Sequence, residues 1–289
     1  MSRTTGEKIF GTVNIVFMLL LVFITLYPLY YVIISAFSDP TAVATGDVAL
    51  FPKGFELASF RKVIGMDNIW TAYGNTIFYS IAGTAVSMVL TVLGAYPLSK
   101  RRMKGRKTIT FFVLLTMWFN AGMMPTYQNF QALHLTDSRL GILLCFAVDT
   151  FNVILMRTFF ENVPDSLEES AKMDGANDWG ILTRIYLPLS GSALATITMY
   201  YFVARWNAYF WSMLLLKDQA LIPLQVLLKK LIVEVSYNVN EAVDISAGVM
   251  TEQTIVYATI VIAVIPMLLV YPFIQRFFVK GIMVGAIKG

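Results

Sequence analysis

The sequence predicts an all-α membrane protein with six transmembrane helices, and three observations lead to that fold class. Of its 289 residues, 57% are hydrophobic and only 14% are charged, which gives a mean hydropathy of +0.67. This balance is typical of a polytopic membrane protein rather than of a soluble domain. The charged residues gather in short patches between long uncharged runs, and about 20 uncharged residues are enough to cross the hydrocarbon core.

Six predominantly apolar stretches are candidates for such spans. The predicted spans are 10–37, 72–98, 108–124, 140–160, 189–216 and 254–278. The first contains the uncharged stretch Ile15–Ile34 and lacks the short core and cleavage site of a signal peptide, so we expect it to be retained. The fourth carries Asp149 and the fifth carries Arg205.

Basic residues predict the orientation of these spans. The connection Lys100–Lys107 has six basic residues in eight positions, which predicts a cytoplasmic loop. By parity, residues 1–9, the segment 164–188 and the tail 281–289 are then cytoplasmic as well, and 38–71 and 217–253 are extracytoplasmic loops. The loop 217–253 has an apolar helical pattern beginning at Leu224, which predicts a helix. The expected location is a bacterial cell membrane.

Residue types exclude most catalytic chemistry within the chain. The patterns of nucleotide-binding loops, serine hydrolases and zinc proteases are absent, and no cofactor is expected. The single cysteine, Cys145, lies in an apolar run, and the single histidine, His134, has no evident metal-binding or catalytic partners. The modest net charge of +4 is clustered in a way that indicates membrane topology rather than nucleic-acid binding. Powered transport would take its energy from another subunit or from an ion gradient.

The polar segment 164–188 is patterned too regularly for a slack loop. Ser166 and Glu169 have the spacing of a capping box, and Gly175 occupies the position of a helix C-cap. A second short helix is predicted to begin at Asn177 or Asp178. The segment is acidic, which predicts an electropositive partner surface.

The spacing within this segment matches a known motif. Glu169, Ser170 and Ala171 are followed by Gly175 and, after nine intervening residues, by Ile185-Tyr186-Leu187-Pro188. This resembles the EAA loop of ATP-binding-cassette importer permeases, with Ser170 in place of the middle alanine. Asp174 also matches the usual form. The pair Trp206-Asn207 and the C-terminal residues from Gln275 are similar to those of the maltose-type second permeases, and among these relatives the chain is most similar to permeases for oligosaccharides and complex polysaccharides.

The resemblance implies a type I importer permease fold in which the EAA loop forms a cytoplasmic coupling helix that docks on an ATPase subunit. Ser170 and Ala171 would permit close approach, Glu169 would pair with the ATPase, and Gly175 would permit the turn that follows. The implied partners are a second permease, with a heterodimer favoured, two copies of the ATPase that binds ATP, an extracytoplasmic solute-binding protein, membrane lipid and an oligosaccharide substrate. A capped interfacial helix without a coupling role is the alternative for this segment.

The substrate path is predicted from ionisable and aromatic residues inside the spans. Asp149 and Arg205 lie at depths that agree within about one helical turn, so we predict that they pair or that both face a polar path between subunits. Arg205 reaching the outer interface is the alternative. Trp206 and Asn207, together with Tyr209 and Trp211, are candidates for lining a sugar path, although interfacial aromatics also form membrane belts.

Three other functions remain open at this point. A gradient-driven secondary transporter predicts an internal repeat and titratable residues at broken helices. An importer permease for a solute other than a sugar would keep the EAA loop. A membrane-anchored interaction protein would have no transport path.

Overall fold

Helices joined by turns and loops, with no strand, make up residues 4–241 and 247–286, which are the residues that the computed structural model describes. The predicted all-α class is therefore confirmed. The chain divides into two compact units. One contains Met1–Ile69 and Leu228–Met267, and the other contains Trp70–Leu227 and Leu268–Gly289.

The first unit is dominated by the long helix α1 (Thr5–Ala36), which corresponds to the first predicted span. A capping box between Thr4 and Glu7 begins the helix. Most apolar side chains of α1 are exposed, as expected for a helix solvated by lipid. Two short helices follow, α2 (Pro40–Ala44) and α3 (Ala58–Ile64).

A small core closes this unit. Ile34, Val43 and Val48 are buried together, and Tyr31 packs edge-on against Tyr257 at a ring separation of 6.2 Å. The remaining helices that enter the unit are α14 (Leu224–Glu241) and α15 (Ala247–Ala286). Helix α14 confirms that the loop 217–253 contains a helix, whereas residues 242–246 of that loop lie outside the described residues.

The second unit contains the remaining helices. They are α4 (Asp67–Ser99), α5 (Arg106–Trp118), α6 (Met123–Ala132), α7 (Arg139–Leu144), α8 (Thr150–Glu161), α9 (Asp165–Met173), α10 (Asp178–Ile181), a π-helical turn (Leu182–Tyr186), α11 (Leu187–Leu189), α12 (Gly191–Trp206) and α13 (Phe210–Leu215). Among the described residues, three helices are long and apolar enough to cross a membrane, and the count rises to five if each of two bent pairs is one span. The bends are 115° between α5 and α6 and 84° at the start of α12.

The predicted fourth span, 140–160, is not a continuous helix. Helix α7 ends at Leu144, Phe146 adopts a positive φ of 50°, and α8 begins after Asp149. The carboxylate of Asp149 accepts a hydrogen bond from the Asn152 N–H at 2.9 Å and so caps α8. Hydropathy alone does not reveal this break, because the residues on both sides of it are apolar.

The core of the second unit lies beneath the segment 164–188. Buried side chains of α4, α8, α10, the π-helical turn and α12 pack together, including Met156, Phe160, Ile181, Tyr186 and Ile197. The segment is therefore fixed on a rigid base formed by helices that precede and follow it in the chain.

Candidate functional site

Helix α9 presents the central residues of the predicted EAA loop on its surface. Glu169 and Ser170 are exposed, whereas Ala171 is half-buried and packs against the core. The helix begins at Asp165 directly after Pro164, and no side chain caps its N-terminus. The predicted capping box of Ser166 and Glu169 is therefore wrong, because Ser166 already lies inside the helix.

A sharp turn follows α9. Asp174 is the C-cap, and Gly175 adopts a φ of +84°, a left-handed conformation that favours glycine. The Asn177 side chain then accepts a hydrogen bond from the Gly180 N–H at 2.7 Å and caps α10, which confirms the predicted start of the second short helix. Trp179 on α10 is 64% exposed, so this surface is partly apolar.

The end of the segment is a π-helical turn from Leu182 to Tyr186 followed by Pro188 in α11. Proline has no N–H and its ring crowds the carbonyl one turn earlier, which is a common cause of a local change in helix winding. Ile185 and Leu187 are half-buried against the core of the second unit. These residues of the motif therefore anchor the segment, whereas Glu169 and Ser170 are exposed.

Glu168, which the sequence analysis did not select, lies at the centre of a buried polar cluster. Its carboxylate accepts hydrogen bonds from the ammonium groups of Lys100 and Lys172, each at 2.5 Å, and from the Tyr186 hydroxyl at 2.8 Å. Lys100 also lies over the Tyr186 ring, 3.5 Å from its centroid. Glu168 and Lys100 are 7% and 8% exposed. We call Lys100, Glu168, Lys172 and Tyr186 the Glu168 cluster.

The electrostatics of this cluster keep Glu168 ionised. Burial by itself would raise the pKa of the Glu168 carboxyl, but the hydrogen bonds from Lys100, Lys172 and Tyr186 outweigh it and lower the pKa to about 2. Burial lowers the pKa of the Lys100 ammonium, and the adjacent Glu168 carboxylate opposes that shift. The cluster contains two ion pairs to Glu168, and the one with Lys100 joins α9 to the residue that follows α4.

A further ion pair, at the surface, links the loop after α4 to α10. Arg102 contacts Asp178 at 2.5 Å and lies 3.6 Å from Glu168. The basic loop Lys100–Lys107, used above to predict orientation, therefore also binds both short helices of the segment 164–188. Of the sequence signals, only the spacing of Glu168 and Lys172 on one helix indicated an ion pair.

A cavity of about 730 Å³ in the second unit contains three of the four predicted path residues. Asp149, Arg205 and Asn207 line it, together with Tyr209 and Trp211. Trp206 instead is buried, stacked on Phe202 at 6.1 Å. The cavity combines aromatic faces with a few polar groups, a combination that suits a hydroxylated organic ligand.

Asp149 and Arg205 do not pair. Within the described part of the chain no ion pair joins them. Asp149 caps α8, and the Arg205 guanidinium donates to the carbonyls of Ile142 and Leu143 at 2.6 and 3.1 Å. These carbonyls belong to the last turn of α7, where a helix leaves its acceptors unsatisfied. The predicted ion pair is therefore absent, and both residues line the same cavity. The alternative, that both face a polar path between subunits, stays a prediction.

The described residues contain no group of three or more His, Cys, Asp or Glu side chains placed to hold a metal ion. Residues 108–284 match the family of binding-protein-dependent transport system inner membrane components. The chain belongs to this family. The match includes the segment 164–188 and most of the cavity wall, so both candidate sites lie in the part of the permease that the family shares.

The permease is similar over nearly its whole length to several bacterial proteins. It is 41% identical to the polygalacturonan/rhamnogalacturonan transport system permease protein YtcP of Bacillus subtilis (strain 168), over 98% of this chain and 99% of YtcP. It is 37% identical to protein LplC of the same organism, over 100% of this chain and 98% of LplC. One chain of the crystal structure of a bacterial ABC transporter involved in the import of the acidic polysaccharide alginate superposes with a TM-score of 0.88 at 42% identity, covering 96% of this chain and 99% of that chain.

These findings confirm the type I importer permease assignment. The permease is an inner membrane component of an ABC importer that works with a binding protein.

Proposed function

We propose that this permease forms half of the translocation path of an ATP-driven importer and that α9 is its coupling helix. The observation that carries the proposal is the combination of exposed Glu169 and Ser170, at the spacing of the EAA loop, with the buried Glu168 cluster directly beneath them. The complete importer would contain a second, different permease, two cytoplasmic ATPase copies and an extracytoplasmic binding protein. Both chain termini would then be cytoplasmic.

The structure provides a physical route for coupling. A force applied to α9 at Glu169 is transmitted to α4 through the Glu168–Lys100 pair and to the start of α12 through Tyr186. Because α8 and α12 share the core beneath the segment, these helices would move together rather than bend separately. Closure of the ATPase dimer would thereby change access to the 730 Å³ cavity.

We propose further that the substrate is an oligosaccharide containing uronic acids. YtcP is named for polygalacturonan and rhamnogalacturonan, and the solved importer takes up alginate, so two relatives at 41% and 42% identity handle acidic polysaccharides. The cavity offers aromatic side chains, the Asn207 amide and the Arg205 guanidinium to such a ligand. Arg205 is held in place by backbone carbonyls rather than neutralised by an ion pair.

Charge reversal at Glu169 tests the coupling role. In the Glu169→Lys variant we expect the ATPase recovered with the purified permease to fall by roughly an order of magnitude or more, and oligosaccharide uptake to be lost, because the ATPase would meet the wrong charge. Membrane insertion should not change, because Glu169 is exposed and has no hydrogen bond or ion pair within the described residues.

The matched control is Glu56→Lys, which reverses an exposed carboxylate in the loop 38–71. It should leave ATPase recovery unchanged. Normal ATPase recovery and normal uptake in Glu169→Lys would show that α9 is not the coupling contact. Uptake by the native importer that survives ATP depletion would instead indicate a gradient-driven transporter.

A further inference from the structure

A second cavity, of about 650 Å³, lies at the turn between α4 and α5 and has an unusual lining. Four cationic side chains face it, those of Arg101, Arg106, Lys107 and Arg157, and no carboxylate lines it among the described residues. The side wall is apolar and includes Phe111 and Leu114 of α5. We call this space the basic cavity.

The positive charge of the basic cavity is only partly neutralised. Arg106 and Arg157 share one carboxylate, that of Glu161, so a single negative charge faces two guanidinium groups. Arg101 and Lys107 are exposed and form no ion pair within the described part of the chain. An anion in this space would therefore meet several positive charges that the protein itself leaves unbalanced.

The apolar wall indicates the rest of the ligand. Lys107, Phe111 and Leu114 are spaced so that they share one face of α5, which places the apolar pair one and two turns beyond the cation. Phe111 is 60% exposed and Leu114 is 39% exposed. A cationic end that continues into exposed apolar side chains fits a molecule with an anionic head and hydrocarbon chains.

The basic cavity lies at the level expected for lipid headgroups. The turn connects α4, which is long and apolar enough to span a membrane, to α5, which belongs to a candidate bent span. A turn between consecutive spans lies at the membrane surface. Basic pockets at this level bind the headgroups of anionic lipids, and each Lys or Arg near such a surface adds to the attraction.

We propose that the basic cavity binds an anionic phospholipid, with its phosphate between Arg101 and Lys107 and its acyl chains against Phe111 and Leu114. The bound lipid would brace the same loop, Lys100–Lys107, from which Lys100 and Arg102 reach the segment 164–188. The site is independent of the coupling role and of the transported substrate.

The test measures lipid selectivity of the full-length permease, purified with its partner subunits and placed in phosphatidylcholine nanodiscs containing a fluorescent phosphatidylglycerol probe. We expect the native protein to bind the probe in preference to a matched phosphatidylcholine probe. Loss of two charges in Arg101→Gln/Lys107→Gln should weaken that preference by about one order of magnitude or more. Raising the salt concentration should weaken it in the native protein as well, which tests the proposal without any variant.

Two controls separate this site from general charge effects. Lys104→Gln removes a charge from the same loop but outside the cavity lining, and Arg61→Gln/Lys62→Gln removes two exposed charges from α3. Both should retain the native preference. The proposal would be overturned if the controls lost the preference for phosphatidylglycerol to the same extent, or if the native protein bound both probes equally. Full competition by soluble glycerol phosphate would also overturn it. So would an Arg101→Gln/Lys107→Gln protein that loses its ATPase but keeps its lipid preference, which would make the cavity an ATPase contact.

Discussion

Two adjacent glutamates of α9 have opposite environments. Glu169 is exposed and has no bonded partner in the described residues, whereas Glu168 is 7% exposed and accepts hydrogen bonds from three side chains. Each residue of an α-helix is rotated by about 100° from the one before it, so neighbours in sequence face different surroundings. Glu169 thus suits contact with a partner protein, and Glu168 suits attachment of the helix to its own protein.

Removal of the Glu168 charge should destabilise the permease far more than removal of the Glu169 charge. In Glu168→Gln, Lys100 remains buried without its counter-ion, and we expect a loss of roughly 3 kcal/mol in unfolding free energy. Glu169→Gln is the matched control and should change stability by less than about 0.5 kcal/mol. Denaturant unfolding in detergent measures both, and equal effects would contradict the buried pair.

The same residue predicts an acid dependence of stability. The folded-state pKa of Glu168, about 2, lies below its ordinary value of 4.5, so the unfolded chain binds the proton more tightly. The stabilisation is complete above about pH 4.5 and is lost as the pH falls towards 2. Over that window Glu168→Gln should show a shallower decline in thermal stability than the native permease. Parallel declines would show that Glu168 is not responsible.

At the scale of elements, Arg205 joins three helices around the break in the fourth predicted span. From α12 it donates to two carbonyls at the end of α7 and to the Ser87 hydroxyl of α4 at 3.3 Å. Inside a membrane a broken helix needs such donors, because no lipid atom supplies them. The Arg205 side chain packs against Gly83 of α4, where an added Cβ would lie 3.1 Å from the Arg205 Nε.

The substitution Gly83→Ala tests this arrangement. The new methyl group would displace a guanidinium that is held by three hydrogen bonds, and we expect stability to fall by about 1 kcal/mol or more. Gly74→Ala on the same helix is the control, because nothing lies within 4 Å of its added Cβ. There the usual helix preference for alanine should leave stability unchanged or raise it by up to about 1 kcal/mol. Thermal unfolding distinguishes the two variants. If Gly83→Ala leaves the stability unchanged, Arg205 does not pack closely against Gly83.

At the scale of the whole molecule, similarity at 96–98% coverage of this chain links the permease to importers of acidic polysaccharide. The proposed substrate class gives a direct prediction. In cells expressing the complete importer, uptake of a labelled oligogalacturonide should be inhibited by unlabelled oligogalacturonides and much less by a neutral oligosaccharide of equal length.

Replacement of a cavity residue distinguishes the contribution of this permease to uptake from that of the binding protein. Asn207→Leu should lower the uptake rate without changing ligand affinity of the isolated binding protein, because Asn207 lines the cavity. Stronger inhibition by the neutral sugar would contradict the uronic-acid assignment while leaving the importer assignment intact.

The sequence by itself determined the helical membrane class and which part of the chain, residues 164–188, carries the EAA-like motif. Both depend on local information: composition, the length of uncharged runs, and fixed spacing from Glu169 to Pro188. The turn at Gly175 and the cap at Asn177 could also be predicted from the sequence, because caps are formed by residues close in sequence.

Only the tertiary structure decided which charged residues meet. Glu168 and Lys100 are 68 residues apart, and Arg205 reaches carbonyls 62 and 63 residues away, so no local pattern specifies either contact. The break before α8 was not predicted for a related reason, since hydropathy averages over a window, whereas the start of α8 is fixed by one capping aspartate, Asp149. Burial makes these few polar contacts decisive, because a charge away from water is stable only beside its partners.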